Sequence, residues 1–247
     1  MLQAIQKAEV FTNLSSTKLK DSNNEGLKHF DWLKVETVLL DLDGTLLDLH
    51  FDNFFWREML PLHYAKLNKT SLESAKETLY AQFESVSGTI SYYCLNYWEE
   101  KLGLDIVQLK SNFCEKIALR PSVLQFLNYL RRIDKRVILA TNAHRESVEL
   151  KMDVTGIFSK FDRIYSSHDF GFPKEDQAFW ETLQKVESFN KHKTLFIDDN
   201  ESVLKAADIF GIQFLMGILK PDSQKPDITL DGYDQISNFE DLIGEAF

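Results

Sequence analysis

Short apolar segments alternate with helical patterns along most of this 247-residue chain, and this alternation constrains the fold more than any other feature. Each apolar segment is too short for a helix and is flanked by turn or polar residues, as is typical of a buried strand. Strands that alternate with helices form a mostly parallel sheet. We therefore predict an α/β fold with a doubly wound sheet of five or more strands. The predicted strands are Thr37–Leu42, Val137–Asn142, Arg163–Ser167, Thr194–Asp199 and Phe214–Ile218.

About 95 residues separate the first predicted strand from the second, far more than one crossover helix needs. A structureless loop of that length is unusual inside a domain, and the segment shows helical patterns. We predict an all-helical insertion, here called the cap (residues 49–119), in a core formed by residues 31–48 and 120–247. Residues 1–30 are predicted to be a weak helix or a loose tail. The predicted helices are Asn53–Leu67, Leu72–Val86, Ile90–Leu102 and Asp105–Ala118 in the cap, and Ser122–Ile133, Asp176–Val186 and Asn200–Phe210 in the core.

Charge and composition exclude several kinds of partner. The net charge of −10 argues against a nucleic-acid partner, which requires a basic surface. The sequence has no apolar segment of the length that a membrane span needs and no pattern of a signal peptide, so no membrane partner is expected. Cys94 and Cys114 are then expected to be reduced thiols, and the expected location is the cytoplasm.

Two carboxylates, Asp41 and Asp43, stand at the end of the first predicted strand and are followed by Gly44 and Thr45. The chain leaves the sheet at this point, so both carboxylates can converge where an open α/β sheet binds its ligands. Two acids crowded at one point need a cation or a proton to hold them together. The sequence therefore predicts a functional site at this edge of the sheet.

Further polar residues follow the other predicted strands. Thr141 comes near the end of the second strand, Lys174 precedes a helical pattern, and Asp198 and Asp199 end the fourth strand. Together with Asp41 and Asp43, these two acids give four carboxylates that are expected to face one cavity. Without a cation they would repel one another and raise each other's pKa. Mg²⁺ accepts a few carboxylates together with phosphate and water, so we predict a magnesium site.

This ordered set of residues resembles the motifs of the haloacid dehalogenase-like (HAD) phosphohydrolases. The resemblance implies a HAD-like Rossmannoid core with a helical cap, and an aspartyl-phosphate mechanism with Asp41 as nucleophile and Asp43 as general acid and base. It also implies that Thr141 and Lys174 contact the phosphoryl group. In many relatives a proline follows this lysine, whereas in this chain the next residue is Glu175.

The resemblance also implies how the metal is held. The ligands would be the side chain of Asp41, the backbone carbonyl of Asp43 and an acid of the last motif. Asp199 aligns better as the direct ligand, and Asp198 would act directly or through water.

A closer resemblance is to the bacterial GMP/IMP nucleotidases, a purine 5′-nucleotidase family. It lies in residues 37–56, 92–105, 139–144 and 170–177, and it implies a purine nucleoside monophosphate as the substrate. The predicted substrate-binding residues are Thr45, His50, Asp52, Asn53 and Asn142, with His144 as a further candidate. Candidates for stacking on a purine are Phe51, Phe54, Trp56, Tyr92, Tyr93 and Trp98. Arg120 could hold a phosphate or base oxygen, although a surface ion pair is favoured.

Other functions remain open at this stage. A phosphatase of another small metabolite, such as a sugar phosphate, would use the same core residues and differ in the cap. A haloacid dehalogenase is disfavoured because it would have no use for Asp43 or for a metal site. A non-catalytic protein on this fold would be expected to lack Asp41 or Asp43, and both are present. The sequence leaves the base preference and the oligomeric state undetermined.

Overall fold

A parallel sheet of six strands forms the centre of the computed structural model, which describes residues 30–244. The spatial order is β3-β2-β1-β4-β5-β6, and every neighbouring pair is parallel. The α/β fold, the parallel sheet and its size are thus confirmed. The predicted tail falls almost wholly on residues outside the described part of the chain. The strands are β1 (Thr37–Leu40), β2 (Arg136–Thr141), β3 (Arg163–Ser166), β4 (Thr194–Asp198), β5 (Phe214–Ile218) and β6 (Asp234–Ile236).

Strand β1 lies in the middle of the sheet, between β2 and β4. All four of its residues are buried, because helices cover both faces of a parallel sheet. Val38 and Leu40 pack into one hydrophobic cluster, whereas Leu39 packs into the cluster on the opposite face. The register aligns the carboxyl ends of β1, β2 and β4, so the polar residues that follow these strands meet at one edge.

Four core helices surround the sheet. All three predicted core helices begin one residue later than predicted, and in two of them Asp176 and Asn200 are the capping residues, whose side chains accept a hydrogen bond from a backbone N–H of the first turn. The sequence analysis did not predict the helix after β2 or the strand β6. The core helices are α7 (Val123–Arg132), α8 (Arg145–Thr155), α9 (Gln177–Val186) and α10 (Glu201–Phe210).

The helical insertion after β1 is confirmed, although its helices are divided differently from the prediction. The first helical run begins at His50 and contains a π-helical turn, Phe55–Met59. The predicted helix Ile90–Leu102 is split because Cys94 adopts an extended backbone conformation. The cap helices are α1 (His50–Phe54), α2 (Leu60–Asn68), α3 (Leu72–Ser85), α4 (Ile90–Tyr93), α5 (Leu95–Leu102) and α6 (Ile106–Ser111).

The cap has a hydrophobic cluster of its own, centred on the buried side chains of Phe55, Leu79 and Trp98. This separate cluster supports the predicted division into cap and core, whose boundaries stay a prediction. None of the helices within residues 30–244 is both long enough and apolar enough to cross a membrane.

Candidate active site

The carboxyl ends of the three central strands bring Asp41, Thr141 and Asp198 to one edge of the sheet. Asp41 follows β1 directly, Thr141 is the last residue of β2, and Asp198 is the last residue of β4. Carboxylate oxygens of Asp41, Asp198 and Asp199 lie within 4.8 Å of one another. Parallel strands in register thus gather polar groups that are about 100 and 57 residues apart in the chain.

Lys174 joins two of these carboxylates. Its Nζ donates to Asp41 Oδ1 at 2.5 Å and to Asp198 Oδ2 at 2.6 Å, and the lysine is only 2% exposed. Burial opposes the charged form, but the carboxylates of Asp198 and Asp41 hold the pKa of Lys174 above its ordinary value. The ammonium is therefore a fixed positive charge at the edge of the sheet.

The backbone on both sides of Lys174 is fixed by neighbouring side chains. Its N–H donates to Asn142 Oδ1 at 2.9 Å, and its carbonyl accepts from Trp180 Nε1 at 2.7 Å. The Trp180 side chain is fully buried on α9, so the lysine stands on a rigid part of the core. Asn142, predicted to bind substrate, thus uses its amide oxygen to position Lys174.

The aspartate cluster carries more negative charge than Lys174 can balance. Burial and the Asp198 carboxylate raise the pKa of Asp41 to about 6, although Lys174 acts to lower it. Burial, Asp198 and Asp41 together raise the pKa of Asp199 well above its ordinary value. A hard divalent cation such as Mg²⁺ fits this oxygen cluster, because it would neutralise the excess charge.

Asp198 and Asp199 differ in the hydrogen bonds that they already make. Asp198 accepts from Lys174 through Oδ2 and from the backbone N–H of Asn200 through Oδ1, at 2.6 and 2.9 Å. Within residues 30–244, no donor bonds the carboxylate of Asp199. This difference supports the prediction that Asp199 is the direct metal ligand.

Gly44 lets the first loop approach Asp199. Its φ of +84° is in the left-handed region, and a Cβ at this position would lie 2.2 Å from Asp199 Oδ2. Arg120 holds the same loop, since its Nη1 donates to the Gly44 carbonyl at 3.0 Å. The predicted surface ion pair of Arg120 is wrong: the side chain is 6% exposed and donates to backbone carbonyls of Gly44 and Ser237.

Asp43 belongs to a chain of alternating charges in which the two lysines are buried and the two aspartates are partly buried. Lys151 on α8 donates to Asp43 Oδ2 at 2.6 Å and to Asp52 Oδ2 at 2.7 Å, and Lys110 on α6 donates to Asp52 Oδ1 at 2.7 Å. Burial and the neighbouring Asp52 raise the pKa of Asp43 to about 6, although Lys151 acts to lower it. Against the effect of burial, Lys110 and Lys151 hold the pKa of Asp52 well below its ordinary value.

The sequence analysis did not single out either lysine. One signal was available for Lys151, which lies between Val148 and Met152 on the buried face of α8. A lysine at an apolar position of a helix requires a buried partner. The partner here is the pair of Asp43 from the core and Asp52 from the cap, so the network also joins these two parts.

A cavity of about 550 Å³ opens over the cluster between core and cap. Of the predicted substrate-binding residues, Asp52, Asn53 and Asn142 line it. His50 and Thr45 are not among its lining residues; Thr45 is fully buried, and its hydroxyl has no partner within the described chain. The cavity is also lined by Asp41, Asp43, Thr141, His144, Lys174, Asp198 and Asp199.

The cap side of the cavity is aromatic. Four of the six predicted stacking residues line it, whereas Phe51 and Phe54 do not. Tyr80 and Phe83 line it too, and the sequence analysis did not select them. The four predicted residues at the cavity are Trp56, Tyr92, Tyr93 and Trp98.

Glu175, where the chain departs from the lysine-proline pattern, links the cap to the core. One carboxylate oxygen accepts from the Tyr93 hydroxyl at 2.6 Å, and the other accepts from Asn142 Nδ2 at 2.9 Å. Asn53 makes a second link, donating to the buried carboxylate of Asp222 at 2.7 Å. The departure from the pattern therefore has a structural role next to Lys174.

Residues 35–211 match the family of haloacid dehalogenase-like hydrolases. This chain belongs to that family. It is 42% identical over 192 residues to GMP/IMP nucleotidase YrfG from Escherichia coli (strain K12), across 78% of this chain and 86% of the relative. YrfG from Shigella flexneri matches to the same extent.

Two solved structures show the same fold as this haloacid dehalogenase-like hydrolase. A HAD phosphatase from Thermococcus onnurineus aligns with a TM-score of 0.70 at 17% identity, over 83% of this chain and 95% of that one. The magnesium-bound HAD-hydrolase YfnB from Bacillus subtilis aligns with a TM-score of 0.56 at 19% identity, over 83% and 96% of the two chains.

Replacement of Gly44 tests the contact between the first loop and Asp199. Gly44→Ala should displace the Asp199 carboxylate, so the rise in melting temperature on adding Mg²⁺ to the hydrolase should fall strongly. Gly103→Ala is the control, since Gly103 also has a positive φ, of +66°, but no atom lies within 4 Å of its added Cβ. Both variants carry backbone strain, and only the first should lose the response to Mg²⁺ in thermal unfolding. Equal responses would contradict the assignment.

Replacement of Lys151 tests the buried charge network. Lys151→Met leaves Asp43 and Asp52 facing each other, so the free energy of unfolding should fall by about 3–5 kcal/mol in urea titrations. The control is Lys193→Met, because Lys193 pairs with Glu36 at 2.6 Å on the surface and should contribute at most about 1 kcal/mol. Adding Asp43→Asn to Lys151→Met should restore part of the loss, because it removes the repulsion and leaves Asp52 paired with Lys110. No recovery would mean that the lysine acts through packing alone.

Proposed function

We propose that this hydrolase is an Mg²⁺-dependent phosphomonoester hydrolase that dephosphorylates purine nucleoside 5′-monophosphates such as GMP and IMP. The observation that carries the proposal is the position of Asp41 in the cavity. Lys174 holds Asp41 through Oδ1, and the carboxylate lines the cavity. A carboxylate that is anchored by a lysine and borders a cavity is suited to nucleophilic attack.

The proposed reaction has two steps at phosphorus. In the first, an Asp41 carboxylate oxygen attacks the phosphoryl group while protonated Asp43 gives its proton to the leaving alkoxide, which forms an aspartyl-phosphate and frees the nucleoside. In the second, Asp43 takes a proton from water, and that water attacks phosphorus to release phosphate and restore Asp41. Lys151 holds Asp43 Oδ2, and Asp43 Oδ1 has no partner within the described chain, which supports this role.

Fixed positive groups support the phosphoryl transfer. The loose transition state spreads negative charge over the equatorial oxygens, and Lys174 supplies an ammonium next to Asp41. The Thr141 hydroxyl accepts from the N–H of Ala143 at 3.0 Å, so its own proton is available for a phosphoryl oxygen. Mg²⁺, held by Asp41, Asp199 and the carbonyl of Asp43 with Asp198 nearby, would neutralise charge on the phosphoryl group and the nucleophile.

Two observations support a purine nucleotide as the substrate. The relatives with 42% identity are GMP/IMP nucleotidases. The cap also contributes aromatic side chains to the lining of the cavity, and base–aromatic stacking contributes roughly 1–3 kcal/mol per base. The proposal places the enzyme in the cytoplasm, in line with its two free cysteines.

A substrate panel tests the proposal. Phosphate release from GMP and IMP at saturating Mg²⁺ should exceed release from AMP, UMP, ribose 5-phosphate and glucose 6-phosphate in kcat/KM. Removing Mg²⁺ with a chelator should abolish release from all of them. Higher kcat/KM for a sugar phosphate would overturn the substrate assignment and leave the mechanism intact.

Asp41→Asn tests the mechanism separately and should lower kcat by a factor on the order of 10³ or more. Asp48→Asn is the matched control, since Asp48 lies in the same loop and does not line the cavity. Its Oδ1, which an asparagine retains, accepts backbone N–H groups of His50 and Ser223. Full turnover by the Asp41→Asn variant would exclude Asp41 as the nucleophile.

Replacement of Tyr92 tests whether the cap recognises the base of the nucleotide. Tyr92 is 39% exposed and lines the cavity, so truncation should disturb the packing of the cap little. Tyr92→Ala should raise KM for GMP and IMP by roughly 5- to 150-fold, the loss of one stacking contact. The same variant with ribose 5-phosphate, which has no base, is the control and should show an unchanged KM. Equal changes for both substrates would refute stacking on Tyr92.

A further inference from the structure

We propose that Cys94, His144 and His168 form a second metal site, for a cation of the Zn²⁺ class, that joins the cap to the core. One ligand atom from each of the three residues lies within 4.8 Å of the other two. Tetrahedral zinc bound by sulfur and imidazole nitrogen requires ligand separations of roughly 3.3–3.6 Å. Shifts of about 1 Å in the side chains would therefore close the site.

The two histidines present nitrogens that the protein leaves without hydrogen bonds. His144 Nδ1 and His168 Nε2 are buried and make no hydrogen bond within residues 30–244, and the only charged group beside His144 Nδ1 in this part of the chain is the Glu146 carboxylate at 3.4 Å. Their rings meet edge to face, with centroids 4.8 Å apart. Unpaired buried nitrogens are costly, and a shared metal ion would satisfy both.

The chemistry of these ligands differs from that of the aspartate cluster. Thiolate and imidazole favour Zn²⁺ and similar cations, whereas carboxylate oxygens favour Mg²⁺. Binding would break the S–H bond of Cys94, release the proton to solvent and form a metal–thiolate bond.

The loops that carry the two histidines are held together in the core. Ser166 Oγ accepts the backbone N–H of His168 at 3.2 Å and donates to the carbonyl of Ala143 at 2.7 Å. Arg145, next to His144, forms an ion pair with Asp169, next to His168. The two ligands are therefore positioned before any metal binds.

The cap positions the third ligand. Tyr93, next to Cys94, donates its hydroxyl to Glu175 of the core, and Trp98 Nε1 donates to the carbonyl of Tyr92 at 2.9 Å. The fourth ligand would be water or the exposed carboxylate of Glu146, 3.4 Å from His144 Nδ1. The metal would thus tie the cap to the core beside His144, which also lines the substrate cavity.

Cobalt is the probe for the thiolate, because a cysteine-bound Co²⁺ absorbs in the near ultraviolet. Chelator-stripped protein in excess Mg²⁺, which keeps the aspartate cluster filled, should gain this absorption with one equivalent of Co²⁺ and lose it when Zn²⁺ displaces the cobalt. Competition with a chromogenic chelator then gives the zinc affinity. We expect one Zn²⁺ per chain with a submicromolar Kd.

Variants distinguish this site from other sites for the metal. Cys94→Ser and His168→Gln should each weaken zinc binding by at least about 100-fold. Cys114→Ser, which changes the other cysteine of the chain, and Asp199→Asn should leave zinc binding unchanged. Circular dichroism and melting temperatures check that each variant is folded.

Three results would each overturn the proposal. The first is absence of the near-ultraviolet band in the wild-type protein, and the second is loss of the band in Cys114→Ser. The third is zinc binding that depends on Asp199 and not on Cys94. Because the readout is metal binding, failure here would leave the proposed hydrolase activity untouched.

Discussion

The bonds from Lys174 to Asp41 and Asp198 are the interaction on which the candidate active site depends. Three aspartates cannot share this buried position as bare anions, and Lys174 balances part of their charge at distances of 2.5 and 2.6 Å. The lysine stays in place because Asn142 and Trp180 hold its backbone. The remaining negative charge is what makes the cluster suited to a divalent cation.

A second lysine repeats this arrangement for Asp43, the proposed general acid and base. Lys151 holds Asp43 through one bond and Asp52 through another, so a residue of the cap shares the counter-ion of a residue of the core. Lys110 extends the chain of charges into α6. The cap is therefore attached to the core by buried charges as well as by the hydrogen bond from Tyr93 to Glu175.

Much of the fold could be predicted because its strands are short, apolar and separated by helical patterns. The bounds of β5 were predicted to the residue, whereas β1 ends at Leu40 because Asp41 and Leu42 already belong to the loop that follows the strand. Strand β6 was missed since it has three residues and only Ile236 is buried. Helix α8 was missed because Ser147 and Lys151 interrupt the apolar pattern on its buried face.

The residues of the candidate site also differ in whether the sequence could identify them. The ordered motif residues could be selected because each follows a strand of the central sheet or precedes a helix. The partners of Lys110, Lys151 and Arg120 could not be predicted, because each of these buried charges bonds groups that are distant in sequence. Lys110 and Asp52, for example, are separated by 58 positions.

The shared counter-ion Lys151 has a consequence for how enzymes of this kind can diversify. Asp52 lies on α1, within the segment that would be exchanged if the cap were replaced by one with another specificity. A replacement without a carboxylate at this position would leave Lys151 bonded to Asp43 alone, and the proton affinity of the proposed acid would shift. The substrate specificity of the cap and the acid strength of Asp43 therefore cannot change independently in this protein. A new cap would have to bring its own carboxylate, or the core would have to change with it.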